Sequence, residues 1–429
     1  SEFEGKTIVL NNDILINENV LNEDGTLNET NASGFVQWEP IGEIMREIDS
    51  TDTTNTIVIE NTRGFEGTLN GQDYRILGVY INDSDLLDQA LFSQNAGIIQ
   101  NIDLVDSYIC TNTYWVAGLV AENLGVVDNC DNYSQAVTTC GGWQCSLLVA
   151  YNNGTISNCK NYFSGELIER SPGIVAQNWG TVEECENWGD LSGYLVFGIC
   201  NGNRGLLTDC YNYANLTGSK GVAALCNENY EIMTNCANYG VISTLGPSST
   251  GVAGCVAGNN GDVVNCLNVG NICALGGTAC GLVGGNGVSS TISNCLNAGD
   301  VMATNPNRPF AGLISRMDGS VVENSFNLGV LTGNDSSFGG IAGSVFNGST
   351  INNAYNIDTS FYGTIDDTST ANGLGVITNN TIIVNGITMS IVDSLNAWVN
   401  ANKQTYLDTY NVELKNWVMG DNGYPTFAD

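Results

Sequence analysis

The chain has 429 residues, 45 acidic against 12 basic side chains, no histidine and a net charge of -33. That balance opposes binding to phosphate backbones and to anionic membrane surfaces, both of which are held through Lys and Arg. The lack of histidine removes Ser-His-Asp and Cys-His nucleophile activation and HExxH zinc sites. With 42% hydrophobic and 13% charged residues, 52 glycines and 58 asparagines, the chain can fill a core and is rich in turn formers, so it reads as folded and soluble. No run reaches the ~18 apolar residues that mark a membrane span.

Residues 1–64 are acidic and rich in Thr and Asn, and predict a non-repeating N-terminal cap with strands over Thr7 to Leu10 and Thr56 to Ile59. Residues 65–385 form the repeat region, plainest from about 115 to 360, where one unit recurs every 25 to 30 residues, most plainly as Asn-Cys-x-Asn-x-Gly at 235–240, 265–270 and 294–299. Its second asparagine is Asn132, Asn161, Asn187, Asn212, Asn238, Asn268, Asn297, Asn327 and Asn356. Cysteine stands two residues earlier in seven copies: Cys130, Cys159, Cys185, Cys210, Cys236, Cys266 and Cys295. An aliphatic position precedes each, with Val264, Ile292 and Val322 expected to face inward on successive coils.

A unit this short, with apolar segments of four to six residues and no helical period, predicts one coil of an all-β, right-handed parallel β-helix. About nine to eleven coils follow from the count. Extra residues in the longer units, as at 245–249, predict a projecting turn. Residues 386–429 predict a C-terminal cap: Ser390 caps a helix whose apolar stripe, Ile391, Leu395, Trp398, Val399 and Asn402, should seal the last coil. The sequence begins at Ser1 without Met and ends at Asp429 without a sorting motif, and reads as processed or trimmed.

Gly281-Leu282-Val283-Gly284-Gly285-Asn286 and the Asn-Cys-x-Asn-x-Gly units resemble the GLUG-motif repeat proteins. Residues 65–81, Trp38 to Gly42, Leu395 to Val399 and Gly423 to Phe427 are similar to the family's first coils and its termination. The resemblance implies a surface or secreted location and a structural or adhesive role. It sometimes accompanies an HExxH peptidase, for which this sequence has no histidine.

The asparagine column reads as a ladder of amides that satisfy one another. Tyr133, Tyr162, Trp188, Tyr213 and Tyr239, beside it, read either as rings stacked for stability or as a glycan-gripping strip. The thiol column reads as buried filling, although strict alternation from Ile156 would bury Asn158 instead of Cys159. Disulfide candidates are Cys140 with Cys145, Cys200 with Cys226, and Cys273 with Cys280. Zinc lacks its paired C-x2-C motifs. Among nine N-x-[ST] sequons, Asn153, Asn334 and Asn347 are the turn positions that suit glycosylation. Asp83/Asp85, Asp103/Asp106 and Asp366/Asp367 are the close carboxylates. No cofactor is expected, although turn acids such as Asp190 and Asp300 suit weak calcium binding.

These features predict a non-enzymatic extracellular or cell-surface structural or adhesive protein, a stalk or a fibre subunit. Its partners would be copies of itself through residues 1–64 and 386–429, matrix components or glycans, without nucleic acid or membrane insertion. The alternative is a carbohydrate-active β-helix enzyme, a polysaccharide lyase or glycosidase.

Overall fold

A computed structural model describes residues 3–48, 57–82, 88–111, 115–138, 144–246, 249, 251–305, 308–333 and 338–428. The residue ahead of the cysteine column is a left-handed corner: Asn101, Asn129, Asn158, Asn235, Asn265, Asn294, Asn324 and Asn353 have φ between 40° and 57°. Asparagine tolerates this region better than most residues. One such residue shifts the side-chain alternation by a position. Cys159 is therefore buried and Asn158 exposed, which resolves the facing conflict in the sequence.

The fold is a parallel β-solenoid of about nine turns with one C-terminal helix. Its residues form two compact units, 1–194 with 199–201, and 195–198 with 202–429. In the first, Thr68–Leu77, Ile98–Thr111 and Val126–Thr138 pair in parallel, followed by Thr155–Ser157 and Thr181–Glu183. Parallel pairing already starts in the expected cap, where Thr7–Val9 lies on Thr68–Leu77. Ile99, Val127, Ile156 and Val182 stack inward and are fully buried.

In the second unit, Leu206–Thr208, Ile232–Thr234, Asp262–Val264, Thr291–Ser293 and Val321–Glu323 pair in parallel. The register corrects one expectation: Val263, not Val264, aligns with Met233, Ile292 and Val322. Val264 is also fully buried, in the cluster beneath the C-terminal segment. Leu245 in the expected projecting turn is 66% exposed; Pro247 and Ser248 lie outside the described residues.

The C-terminal helix spans Ile391–Tyr410, and Ser390 Oγ accepts from Asp393 N at 3.0 Å. The helix and the segment after it lie along the side of the second unit, where Ile391, Leu395, Val399, Leu414 and Trp417 cover Leu267, Leu296, Phe326 and Tyr355. The corner asparagines are the rail for this arm. Asn235 and Asn265 donate to the carbonyls of Glu413 and Lys415, each at 2.9 Å, and Ser394 Oγ donates to Asn324 Oδ1 at 3.0 Å. An antiparallel hairpin, Thr381–Val384 with Ile387–Ser390, precedes the helix.

Candidate functional site

The asparagine column forms a hydrogen-bonded ladder in each unit. Asn132 donates to Asn161 at 3.1 Å and Asn161 to Asn187 at 2.8 Å. In the second unit Asn212, Asn238, Asn268, Asn297 and Asn327 each donate to the next asparagine at 2.7 to 2.8 Å, ending on Asn356. All nine are at most 2% exposed. Their Nδ2 groups also bond the carbonyl two residues on, as from Asn268 to Gly270 at 2.9 Å, so a buried amide is satisfied at no cost to the strands. Gly254, Gly281, Gly312 and Gly340 face these amides, and a Cβ there would collide with Asn268, Asn297, Asn327 and Asn356 respectively.

A second ladder runs parallel to the first and was not anticipated. Asn95, Asn123, Asn152 and Asn178 link at 2.8 Å in the first unit, and Asn203, Asn229, Asn259 and Asn286 at 2.6 to 2.8 Å in the second. It stops where Met317 aligns with Asn286, whose Nδ2 is buried without a partner. The same period was present in the sequence, but only Asn203 and Asn229 have a cysteine, Cys200 and Cys226, three residues ahead to mark it.

Flanking the first ladder on the outer face of the first unit, Arg75, Asp103, Asp131, Lys160 and Glu186 stand in register. Arg75 binds Asp13 at 2.6 Å and Lys160 binds Glu186 at 3.0 Å. Trp188 donates its Nε1–H to Glu186 at 2.6 Å. Burial first, and the charge of Asp103 second, push the Asp131 carboxyl up to about 6; burial also raises Asp103. Stacking thus brings together two acids 28 residues apart, a pairing that closeness in sequence concealed.

The five aromatics do not form one strip of open faces. Tyr133 and Tyr162 stack on each other, 4.9 Å apart and 9° from parallel, so each turns one face to the other rather than to solvent. Tyr133 and Trp188 are 40% and 46% exposed. In the second unit Tyr213 stacks on Tyr239 at 5.1 Å, and Tyr239 is covered: it packs against the C-terminal cluster and bonds Thr426. Tyr239 therefore leaves the expected glycan strip.

None of the described cysteines is in a disulfide. The column Cys130 to Cys295 is fully buried, and burial raises Cys159 and Cys266 well above the ordinary thiol value. Contrary to the pairings expected, Cys200, Cys226, Cys273 and Cys280 are thiols. Cys280 points inward and donates to Val252 O at 3.4 Å, whereas Cys273 is partly exposed on its strand. Cys145 is buried; Cys140 lies outside the described residues.

Of the turn sequons, Asn153 is exposed, Asn347 is exposed with its Nδ2 donated to Asp318 at 2.6 Å, and Asn334 lies outside the described residues. Asn132 is buried in the ladder. Asp106 is structural, accepting from Val20 and Leu21 N–H at 3.1 and 2.8 Å. So is Asp366, which Ser369, Asn347 and Thr368 hold down at about 2; Asp83 and Asp85 lie outside the described residues. Asp300 spends Oδ1 on Val330 N–H at 2.9 Å, and Asp190 is an exposed turn acid.

No protein-family model matches the chain, and no solved structure matches it. A stretch of 96 residues is 33% identical to a protein of Evansella cellulosilytica named "Putative Gly-rich membrane protein", covering 21% of this chain and 9% of that protein. Among the described residues no helix is long and apolar enough to cross a membrane.

Proposed function

We propose that the chain is a non-enzymatic structural or adhesive element of an extracellular or cell surface, of the GLUG-motif repeat kind. The observation that carries this reading is the ladder. The residues that recur most faithfully are spent on buried bonds along the solenoid axis, so the repeat specifies a scaffold and leaves recognition to what projects from it. The family reading is supported by Gly281 of the Gly-Leu-Val-Gly motif, a position that must lack a side chain for the Asn297 amide to fit. A surface setting is compatible with the thiols, because the column from Cys130 to Cys295 is fully buried and so shielded from oxidants. The likeness to a membrane protein agrees with it. Adhesion would use the charged edge of the first unit, with Tyr133 and Trp188 at its rim, and self-association the non-repeating ends.

The test is retention of a panel of matrix polysaccharides and proteins by the immobilised full chain, compared with a Tyr133→Ala/Trp188→Ala variant. Retention by the wild type and its loss in the variant are expected. Equal retention by both would remove this face from adhesion.

A carbohydrate-active enzyme is the second reading, favoured by Asp131. A carboxyl held near 6 beside a second acid can keep a proton to donate at neutral pH.

A further inference from the structure

Gly258 and Gly285 align on neighbouring strands, Val256–Asn259 and Val283–Asn286. The same column carries Glu228 one coil before and Arg316 one coil after. Packing does not force glycine at either place. Neither has positive φ; an added Cβ meets nothing within 4 Å at Gly285 and only Asn227 O, at 3.8 Å, at Gly258. This contrasts with Gly281 and Gly312, which the ladder amides exclude from carrying a side chain. Two side chains the fold would accept are missing side by side, and their absence opens a groove of about 220 Å³ floored by bare backbone.

Arg316 and Asp318 stand at one wall, and Asn260 and Asn286 also line the groove. Arginine is scarce in a chain with 12 basic residues. Arg316 is 61% exposed, lies 5.6 Å from the Phe346 ring centre and makes a 3.3 Å contact with Asp318. A guanidinium has five N–H donors, so it retains donors for an incoming acceptor. The space is below the ~300–1,000 Å³ of sites for drug-sized ligands. Glu228 and Arg316 lie three strand spacings apart, roughly 14 Å.

We infer that this groove binds a sugar ring bearing a carboxylate. The flat ring lies on the backbone of Gly258 and Gly285, Arg316 takes the carboxylate through paired N–H donors, and Asn260 and Asp318 bond ring hydroxyls. An uncharged ring would leave Arg316 unused, and a large aromatic would find no apolar wall here. The site is on the second unit and does not depend on the aromatic edge of the first.

Calorimetry and saturation-transfer NMR on the full chain, with glucuronate, glucose and inorganic phosphate at roughly physiological ionic strength, test it. Glucuronate should bind more tightly than glucose. Arg316→Gln, a surface change, should weaken it at least about tenfold, the loss of one charge-assisted pair. Gly285→Gln should fill the groove and abolish binding with melting unchanged; if it melts early, Arg316→Gln alone decides. No glucuronate binding by the wild type, equal binding by Arg316→Gln, or equal affinity for glucose would overturn the assignment. Phosphate displacing glucuronate at equal concentration would overturn the sugar class.

Discussion

Trp417 donates its indole Nε1–H to Asn265 Oδ1 at 2.6 Å across 152 residues of sequence, both side chains being buried. The bond fixes the C-terminal arm to the rail of corner asparagines. Lys415 extends the attachment, binding Asp209 at 3.0 Å and Tyr211 Oη at 2.5 Å. The covered column is apolar, with Ala237, Leu267, Leu296 and Phe326 in register. The corresponding column of the first unit is charged, with Asp103, Asp131, Lys160 and Glu186. Residue choice thus follows whether the face is covered.

Trp417→Ala should therefore destabilise the arm by ~3–5 kcal/mol, the usual range for a large buried aromatic. Trp417→Phe keeps most of the ring and should cost less. Denaturant unfolding gives the totals, and hydrogen exchange should show lost protection at residues 411–428 and around Asn265. Unchanged exchange there would detach Trp417 from this role.

Asn268→Leu leaves one Asn238 Nδ2–H without its 2.7 Å acceptor and the Asn297 Oδ1 without its 2.7 Å donor, inside a buried column. The expected loss is ~2–5 kcal/mol, from stranding two buried polar groups. Asn153→Leu, at an exposed turn, should change stability by less than ~0.5 kcal/mol. The comparison of unfolding midpoints separates a ladder from a mere preference for asparagine.

Ile292→Asp places a charge in the inward column between Val263 and Val322 and should cost more than ~4 kcal/mol. Gly281→Ala should also lower the melting temperature strongly, because its Cβ meets the Asn297 amide, while Gly285→Ala should not. Identical melting of the two glycine variants would refute the distinction between forced and unforced glycines.

Alkylation of the native protein should label Cys273, which is partly exposed, and spare the buried column from Cys130 to Cys295. Peptide mapping after labelling, with and without denaturant, reads this directly. Cys236 found linked to Cys266 would contradict the thiol stack.

Asp131 gives a pH dependence with a definite sign. Its folded pKa, about 6, lies above the ordinary carboxylate value of 3.8, so the folded state holds the proton more tightly. The associated stability is present below pH ~4 and is lost as pH rises through ~6. Asp131→Asn should remove that slope and stabilise the chain at pH 7 by up to ~1 kcal/mol, after discounting for solvent screening of a partly exposed group. Unfolding from pH 4 to 7 measures it.

The ladder, the cysteine column and the helix stripe were legible because each repeats at a fixed spacing beside a recognisable partner. The corner at Asn158 was not, because a left-handed residue leaves no mark in an apolar pattern; its effect appears only in which neighbour is buried. Val264 was misplaced by one position because two adjacent valines fit the same template. The Asp103–Asp131 pair arises from coil stacking, and the arm's path along Asn235 and Asn265 from contacts across 150 residues or more. Gly285 reads as one glycine of the Gly281 to Asn286 motif and nothing in the sequence marks Gly258; the space above them is what sets both apart.

The most direct test of the central claim is product analysis after incubating the full chain with neutral and acidic polysaccharides from pH 5 to 8. A scaffold that holds ligands without transforming them predicts retention of polymer with no new reducing ends and no unsaturated uronate products. Reducing ends that accumulate with the wild type and vanish with Asp131→Asn would contradict it and establish Asp131 as an acid catalyst.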